Sequence, residues 1–279
     1  MLRQRVITAV VLLALLLPAM MAASALPFAL LTLVIISAAG WEWARLNGVR
    51  AKLPALATGG LLALACGLSL RWPSAVGQAG GLWLAGGLAW LIGGALVLRR
   101  GPSGWLKWQA QLRWALGLLL LWLAWSALAH ARTIGVNFLL SVLCVAWVAD
   151  IAAYFSGRAF GRRKLAPGIS PGKSWEGVYG GMLGVLLLAW LWPMADAQLA
   201  LDSPSLFLLL QQRLGGVGLA LSVLLLTGMT VMGDLFESLV KRAAGAKDSS
   251  GLLPGHGGVL DRVDALLPLL PAALALISL

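Results

Sequence analysis

The feature that most constrains this chain is a succession of nine apolar segments, each about as long as a bilayer core is thick. They fall at about 6–23, 26–44, 53–70, 77–98, 114–130, 135–155, 177–195, 214–234 and 260–279. A helix needs roughly 20 apolar residues to cross a hydrocarbon core of about 30 Å. Composition agrees: 60% of the 279 residues are hydrophobic and 11% are charged, against about 25% charged in a soluble domain. Such a chain cannot cover itself with polar surface, so lipid is its solvent. Each segment is expected to be helical, because backbone exposed to lipid must satisfy its own hydrogen bonds. The fold class read here is therefore all-α: a polytopic transmembrane helical bundle of about nine spans. Pro18 and the glycine-rich run from Gly77 to Gly94 are compatible with this, since membrane helices tolerate both residue types.

The basic residues orient the spans. With the N-terminus inside and the segments alternating, 18 of the 21 Lys and Arg residues fall in inner stretches. Only Arg71, Arg132 and Arg213 fall outside. That asymmetry is what the positive-inside rule demands. The net charge of +11 is thus mostly topological and gives no ground for nucleic-acid binding. Arg3 and Arg5 ahead of the first apolar run resemble a signal sequence, but a second span follows at once, and the first is read as retained. Trp41, Trp43, Trp72, Trp105, Trp108 and Trp114 near span ends read as an interfacial belt. Cys66 and Cys144, both in apolar runs, read as small buried hydrophobes.

The ten acidic residues carry most of the chemical information, because carboxylates at membrane depth are costly. Asp196 and Asp202 lie in an outer loop and read as solvated, and Glu42 at a span end reads as interfacial. The other seven, Asp150, Glu176, Asp234, Glu237, Asp248, Asp261 and Asp264, gather in or beside the last two inner stretches. Four groups stand out there. Asp150, Tyr154 and Arg158 are spaced to share one helix face. Ser170-Pro171-Gly172-Lys173-Ser174 breaks the chain before a helix start, where backbone N–H groups and Lys173 suit an anion. Asp234, Ser238 and Lys241 share a face, with Glu237 and Arg242 close by. Finally, Lys247 to Asp264 forms a glycine-rich loop containing His256, followed by Asp261, Arg262 and Asp264. Carboxylates that hold Mg²⁺ beside cations that pair with phosphate suit a metal–polyphosphate complex. The chain contains no GxxxxGK[ST], GxGxxG or HExxH pattern.

The run Ser238-x-x-Lys241-Arg242, Lys247-Asp248-x-Ser250, Leu253-Pro254-x-His256-Gly257-Gly258-x-x-Asp261-Arg262-x-Asp264 resembles the signature of the CDP-diacylglycerol synthase (phosphatidate cytidylyltransferase) family. The blocks Ala149 to Arg158 and Ser170 to Gly177 resemble that family too; mild departures fall at Gly172 and Ser174 here and at Ser250 in the longer run. Residues 1–148 match only as apolar spans; residues 149–279 carry the motifs. The resemblance implies that CTP and phosphatidic acid give CDP-diacylglycerol and pyrophosphate. It implies Asp234, Asp261 and Asp264 around Mg²⁺, alone or with a second cation. Lys241 and Ser238 would act with these acids. Lys173, Ser174, Arg242, Lys247, His256, Arg262, Asp150, Tyr154 and Arg158 would bind the substrates. A homodimer in the bacterial inner membrane, its site facing the cytoplasm, is also implied. The competing readings are a CTP-dependent polyprenol or lipid kinase, an ion-coupled transporter and a non-catalytic scaffold. Polar residues gathered at inner ends, rather than strung through the spans, speak against transport.

Overall fold

A computed structural model describes residues 2–71 and 80–279. Trp72 and residues 77–79 at the start of the fourth apolar segment lie outside the described residues, as do the side chains of Arg3 and Arg5. The chain folds as α1 (Leu2–Met21), α2 (Leu26–Leu46), α3 (Lys52–Ser69), α4 (Gly80–Leu106), α5 (Ala110–Ile134) and α6 (Val136–Phe160). A hairpin of β1 (Lys164–Ala166) and β2 (Ser170–Ser174) follows, then α7 (Trp175–Gln198), α8 (Leu206–Ala243), α9 (Leu260–Val263) and α10 (Leu266–Ser278). The small antiparallel hairpin is the one sheet among the described residues, and an isolated bridge joins Leu253 to Gly257.

The apolar segments are mostly helical over their described residues, and seven helices, α2 through α8, are long and apolar enough to cross a membrane. The two terminal segments differ from the expected spans. Only Val6–Met21 of α1 is continuously apolar. The last segment divides into a single turn and the 13-residue α10. At 1.5 Å per residue α10 is about 20 Å long, shorter than the hydrocarbon core. Leu267 through Ala275 of α10 are all buried, so this helix is the bundle's interior, packed against α4, α5 and α8. Two helices bend at glycines. Gly101 of α4 (φ 67°) and Gly215 of α8 (φ 70°) take backbone angles that favour glycine, and α4 also contains a π-helical turn at Ala89–Gly94.

Small residues bring α6 and α7 together. A Cβ at Gly177 would lie 3.1 Å from the Ala153 carbonyl, and one at Gly181 would lie 3.0 Å from that of Ala149. Close backbone approach through small residues spaced four apart is a common way for helices to associate in lipid, where apolar surface gives no preference for helix over lipid.

Several tryptophans expected in an interfacial belt are instead core. Trp43 and Trp105 are buried and surround Phe236, whose ring stacks on Trp43 at 6.1 Å and meets Trp105 edge-on at 5.5 Å. Trp114 donates to the Thr58 hydroxyl at 3.1 Å. Aromatic packing against α8 outweighed the interface, because rings this large remove the most apolar area. Cys66 is buried and Cys144 half-buried, both as free thiols. Asp196 and Asp202, read as solvated, hold helix starts together. Asp202 accepts from the Val136 and Asn137 amides at 2.5 and 3.0 Å, and Asp196 accepts from Asn137 Nδ2 at 2.8 Å. Orphan N–H groups at helix starts attract such carboxylates.

Candidate active site at the hairpin end

The ends of α6 and α7, the hairpin and the middle of α8 enclose a cavity of about 390 Å³. Its polar lining is Thr227 together with Asp150, Tyr154, Arg158, Lys173, Ser174 and Asp234, the last six all singled out from sequence, and Val178 and Val231 add apolar wall. The helical spacing of Asp150, Tyr154 and Arg158 puts all three on this cavity, with Arg158 Nη1 donating to the Tyr154 hydroxyl at 3.2 Å. Ser174 caps α7 by accepting from the Gly177 amide at 3.2 Å. Glu176, in the first turn of α7, accepts from the Arg162 and Arg163 amides at 3.1 and 3.2 Å and so ties the hairpin to α7. Lys173 on β2 forms an ion pair with Asp234 across 61 residues of chain. Ser238 reaches the other oxygen of Asp234 at 3.4 Å.

Asp264 follows α9 and meets α8 beside Asp234. Its backbone carbonyl presses on α8 at Gly233, where a Cβ would come within 2.3 Å. The turn holding it lies outside the seven apolar spans. Burial, together with the nearby Asp234 carboxylate, pushes the Asp264 carboxyl up to about 7, because desolvation and like charge both disfavour the anion. Its one hydrogen bond is local, from the Ala265 amide at 2.8 Å.

Asp261, three residues earlier, has a different set of partners. Oδ1 takes Lys241 Nζ at 2.5 Å, while Oδ2 accepts from the Ser249 and Gly258 amides at 3.0 and 2.7 Å. Burial opposes its charge, but these donors outweigh it and hold the carboxyl down to about 2. Lys241 also contacts Glu237 at 2.6 Å. Asp261 and Asp264 therefore serve neighbouring clusters that meet at α8.

The remaining sequence-selected residues frame the loop. Arg262 donates through Nε and Nη2 to the His256 carbonyl at 3.0 and 2.6 Å. Arg242 reaches the Ile169 and Ala246 carbonyls, both at 3.4 Å. The His256 Nδ1 is buried with no hydrogen-bond partner, and Lys247 is exposed.

Sequence reasoning missed Glu42. Read as interfacial, it is 0% exposed, and its carboxylate sits inside the glycine-rich loop more than 200 residues away, within reach of Ser249, Ser250, Val259 and Leu260. The available signal was a lone carboxylate between two tryptophans, Trp41 and Trp43, which an interfacial position explains equally well.

Among the described residues no group of three His, Cys, Asp or Glu side chains stands assembled to hold a metal ion. The cavity chemistry nevertheless fits a hard cation. Asp150, Asp234 and Asp264 lie close enough to perturb one another, and Lys173 is the cation among them. Mg²⁺ commonly binds through one or two carboxylates and completes its shell with water and substrate phosphate.

The model of the cytidylyltransferase family matches residues 3–279. Phosphatidate cytidylyltransferase of Pseudomonas aeruginosa is 39% identical over 99% of this chain and 97% of its own. The Brucella melitensis enzyme of the same name is 37% identical over 86% of this chain and 72% of its own. That of Haemophilus influenzae is 45% identical over 49% of this chain and 44% of its own.

Proposed function

The chain belongs to the cytidylyltransferase family, and from that premise we propose that it transfers the cytidylyl group of CTP to phosphatidic acid, giving CDP-diacylglycerol and pyrophosphate. The observation that carries the reading is the cavity whose polar lining includes Asp150, Tyr154, Arg158, Lys173, Ser174 and Asp234, set beside an apolar wall. A lipid phosphate and a nucleotide both need cationic and hydroxyl partners, while acyl chains need the apolar side.

In this reaction a phosphate oxygen of phosphatidic acid bonds to the α-phosphorus of CTP, and the bond from that phosphorus to the β-bridging oxygen breaks. The attacking phosphate is already anionic near neutral pH, so little base catalysis is required. The barrier is repulsion between anions and charge growing on the leaving pyrophosphate. Positioning and charge neutralisation lower it. Arg158 and Tyr154 suit the lipid phosphate, lying on the face of α6 that lines the cavity. Lys173 and Lys241, each engaged with a carboxylate, suit the triphosphate, whose oxygens would compete for them. Ser174 and Ser238 orient it, with His256 and Lys247 on the loop. Arg242 and Arg262 spend part of their donor sets on carbonyls and keep other N–H groups for phosphate. Mg²⁺ would be held by Asp234 and Asp264 and would supply neutralisation of phosphate charge; Asp261, in the neighbouring cluster, would join at a second cation once the phosphates draw Lys241 away.

Bacterial relatives and the basic residues of the expected inner stretches support a bacterial inner-membrane protein with this end towards the cytoplasm. A homodimer accompanies the reading, tested by cross-linking in membranes. The deciding assay supplies purified protein with phosphatidic acid, Mg²⁺ and CTP labelled at either the α or the γ phosphate. Cytidylyl transfer puts the α label on the lipid. Appearance of only the γ label on lipid would make the protein a kinase and overturn the proposal.

A further inference from the structure

We propose that Glu42 is a positioning residue for this reaction: its buried carboxylate closes the 249–260 loop and thereby sets where Asp261 stands. The proposal rests on the cytidylyltransferase reading above. Each carboxylate oxygen is matched to one hydroxyl and one backbone amide. Oε1 lies 2.5 Å from Ser250 Oγ and 2.9 Å from the Val259 nitrogen. Oε2 lies 3.1 Å from Ser249 Oγ and 2.7 Å from the Leu260 nitrogen. One side chain on α2 thus gathers both ends of a twelve-residue loop. A carboxylate without solvent is costly unless its acceptor sites are filled, and here the loop fills them.

The link to Asp261 is short. The Ser249 hydroxyl stands between the two carboxylates, 3.1 Å from Glu42 and 2.9 Å from Asp261 Oδ2, with one proton to share. The Leu260 amide held by Glu42 belongs to the residue directly before Asp261. Gly258 makes the closure sterically feasible, since a Cβ there would lie 2.0 Å from Ser249 Oγ and 2.4 Å from Glu42 Oε1. A substituent at this position would force the clamp open.

Glu42→Gln keeps the size of the side chain and replaces one acceptor by a donor. Whichever way the amide turns, its NH₂ meets the Val259 or the Leu260 N–H. The test measures kcat and the KM for CTP of the full-length protein in detergent, together with amide exchange by mass spectrometry. For E42Q we expect kcat to fall by about 100-fold with KM changed by less than about threefold, because misalignment of reacting groups by about 1 Å acts on turnover. Exchange should quicken in residues 249–261 and stay unchanged in α2 and α3. Parent-like kcat in E42Q, or exchange quickened throughout α2 and α3, would overturn the proposal, the latter by revealing a general packing role. Should E42Q fail to accumulate, Ser250→Ala removes one of the four partners. It should produce a smaller fall, about 3–10-fold for one lost hydrogen bond of about 1 kcal/mol, with the same loop-confined exchange; no change in either measurement would overturn the proposal. A parent protein that makes no CDP-diacylglycerol would refute the functional reading alone, while the exchange data would still decide whether Glu42 holds the loop.

Discussion

Gly233→Ala should separate activity from stability. Gly233 lies on α8 next to Asp234, at the contact with the turn carrying Asp264. An added Cβ would sit 2.3 Å from the Asp264 carbonyl oxygen, 2.8 Å from Pro268 Cδ and 3.0 Å from Pro268 Cγ. Carbon–oxygen contacts settle at about 3.3 Å, so α8 and the turn must part by about 1 Å. Neither neighbour can rotate aside, since one is backbone and the other a closed ring. Overpacking of this kind costs about 1–3 kcal/mol, and the gain in helix propensity from Gly to Ala returns about 1 kcal/mol. Net destabilisation is therefore about 0–2 kcal/mol. The same displacement moves Asp264 away from Asp234, and a misplacement of about 1 Å can lower turnover by about 100-fold. Gly228→Ala on the same helix is the control, because its Cβ would meet nothing within 4 Å. The assay is transfer of α-labelled cytidylyl groups to phosphatidic acid, paired with thermal unfolding in detergent. Parent-like turnover in G233A, or an equal loss in G228A, would refute the reasoning.

Two further outcomes follow from the site. The Asp264 carboxyl, raised to about 7, is protonated below that pH, and a proton competes with a cation for it. The Mg²⁺ concentration for half-maximal activity should therefore rise as the pH is lowered from 8 to 5.5, over a range in which an ordinary aspartate would stay ionised; a flat titration across that range would exclude Asp264 from the cation site. In Asp264→Asn, activity should vanish while membrane insertion persists, as judged by membrane fractionation. Ser174→Ala removes the α7 cap and should cost about 0.5–2 kcal/mol, measured as earlier thermal unfolding. It should also raise the KM for CTP, and an unchanged KM would remove Ser174 from the substrate.

Much of this protein was legible in one dimension. Whether a segment dissolves in lipid depends on its own residues, so the apolar runs and their helical state follow from sequence. So does the gathering of seven carboxylates near two basic stretches. The i, i+4, i+8 spacing of Asp150, Tyr154 and Arg158 put them on one face without knowledge of what that face meets. Tertiary structure alone decided the pairings. Lys173 with Asp234 joins residues 61 apart, and Glu42 with Leu260 joins residues 218 apart; local periodicity is silent at that range. It also gave Asp261 and Asp264 different partners, Lys241 and the loop amides for one and the neighbourhood of Asp234 for the other, and it moved Trp43 and Trp105 from an expected interface to the core around Phe236. The last apolar segment has the hydropathy of a span, yet α10 has neighbours on every side. Hydropathy measures preference for an apolar medium, and only packing determines whether that medium is lipid or protein.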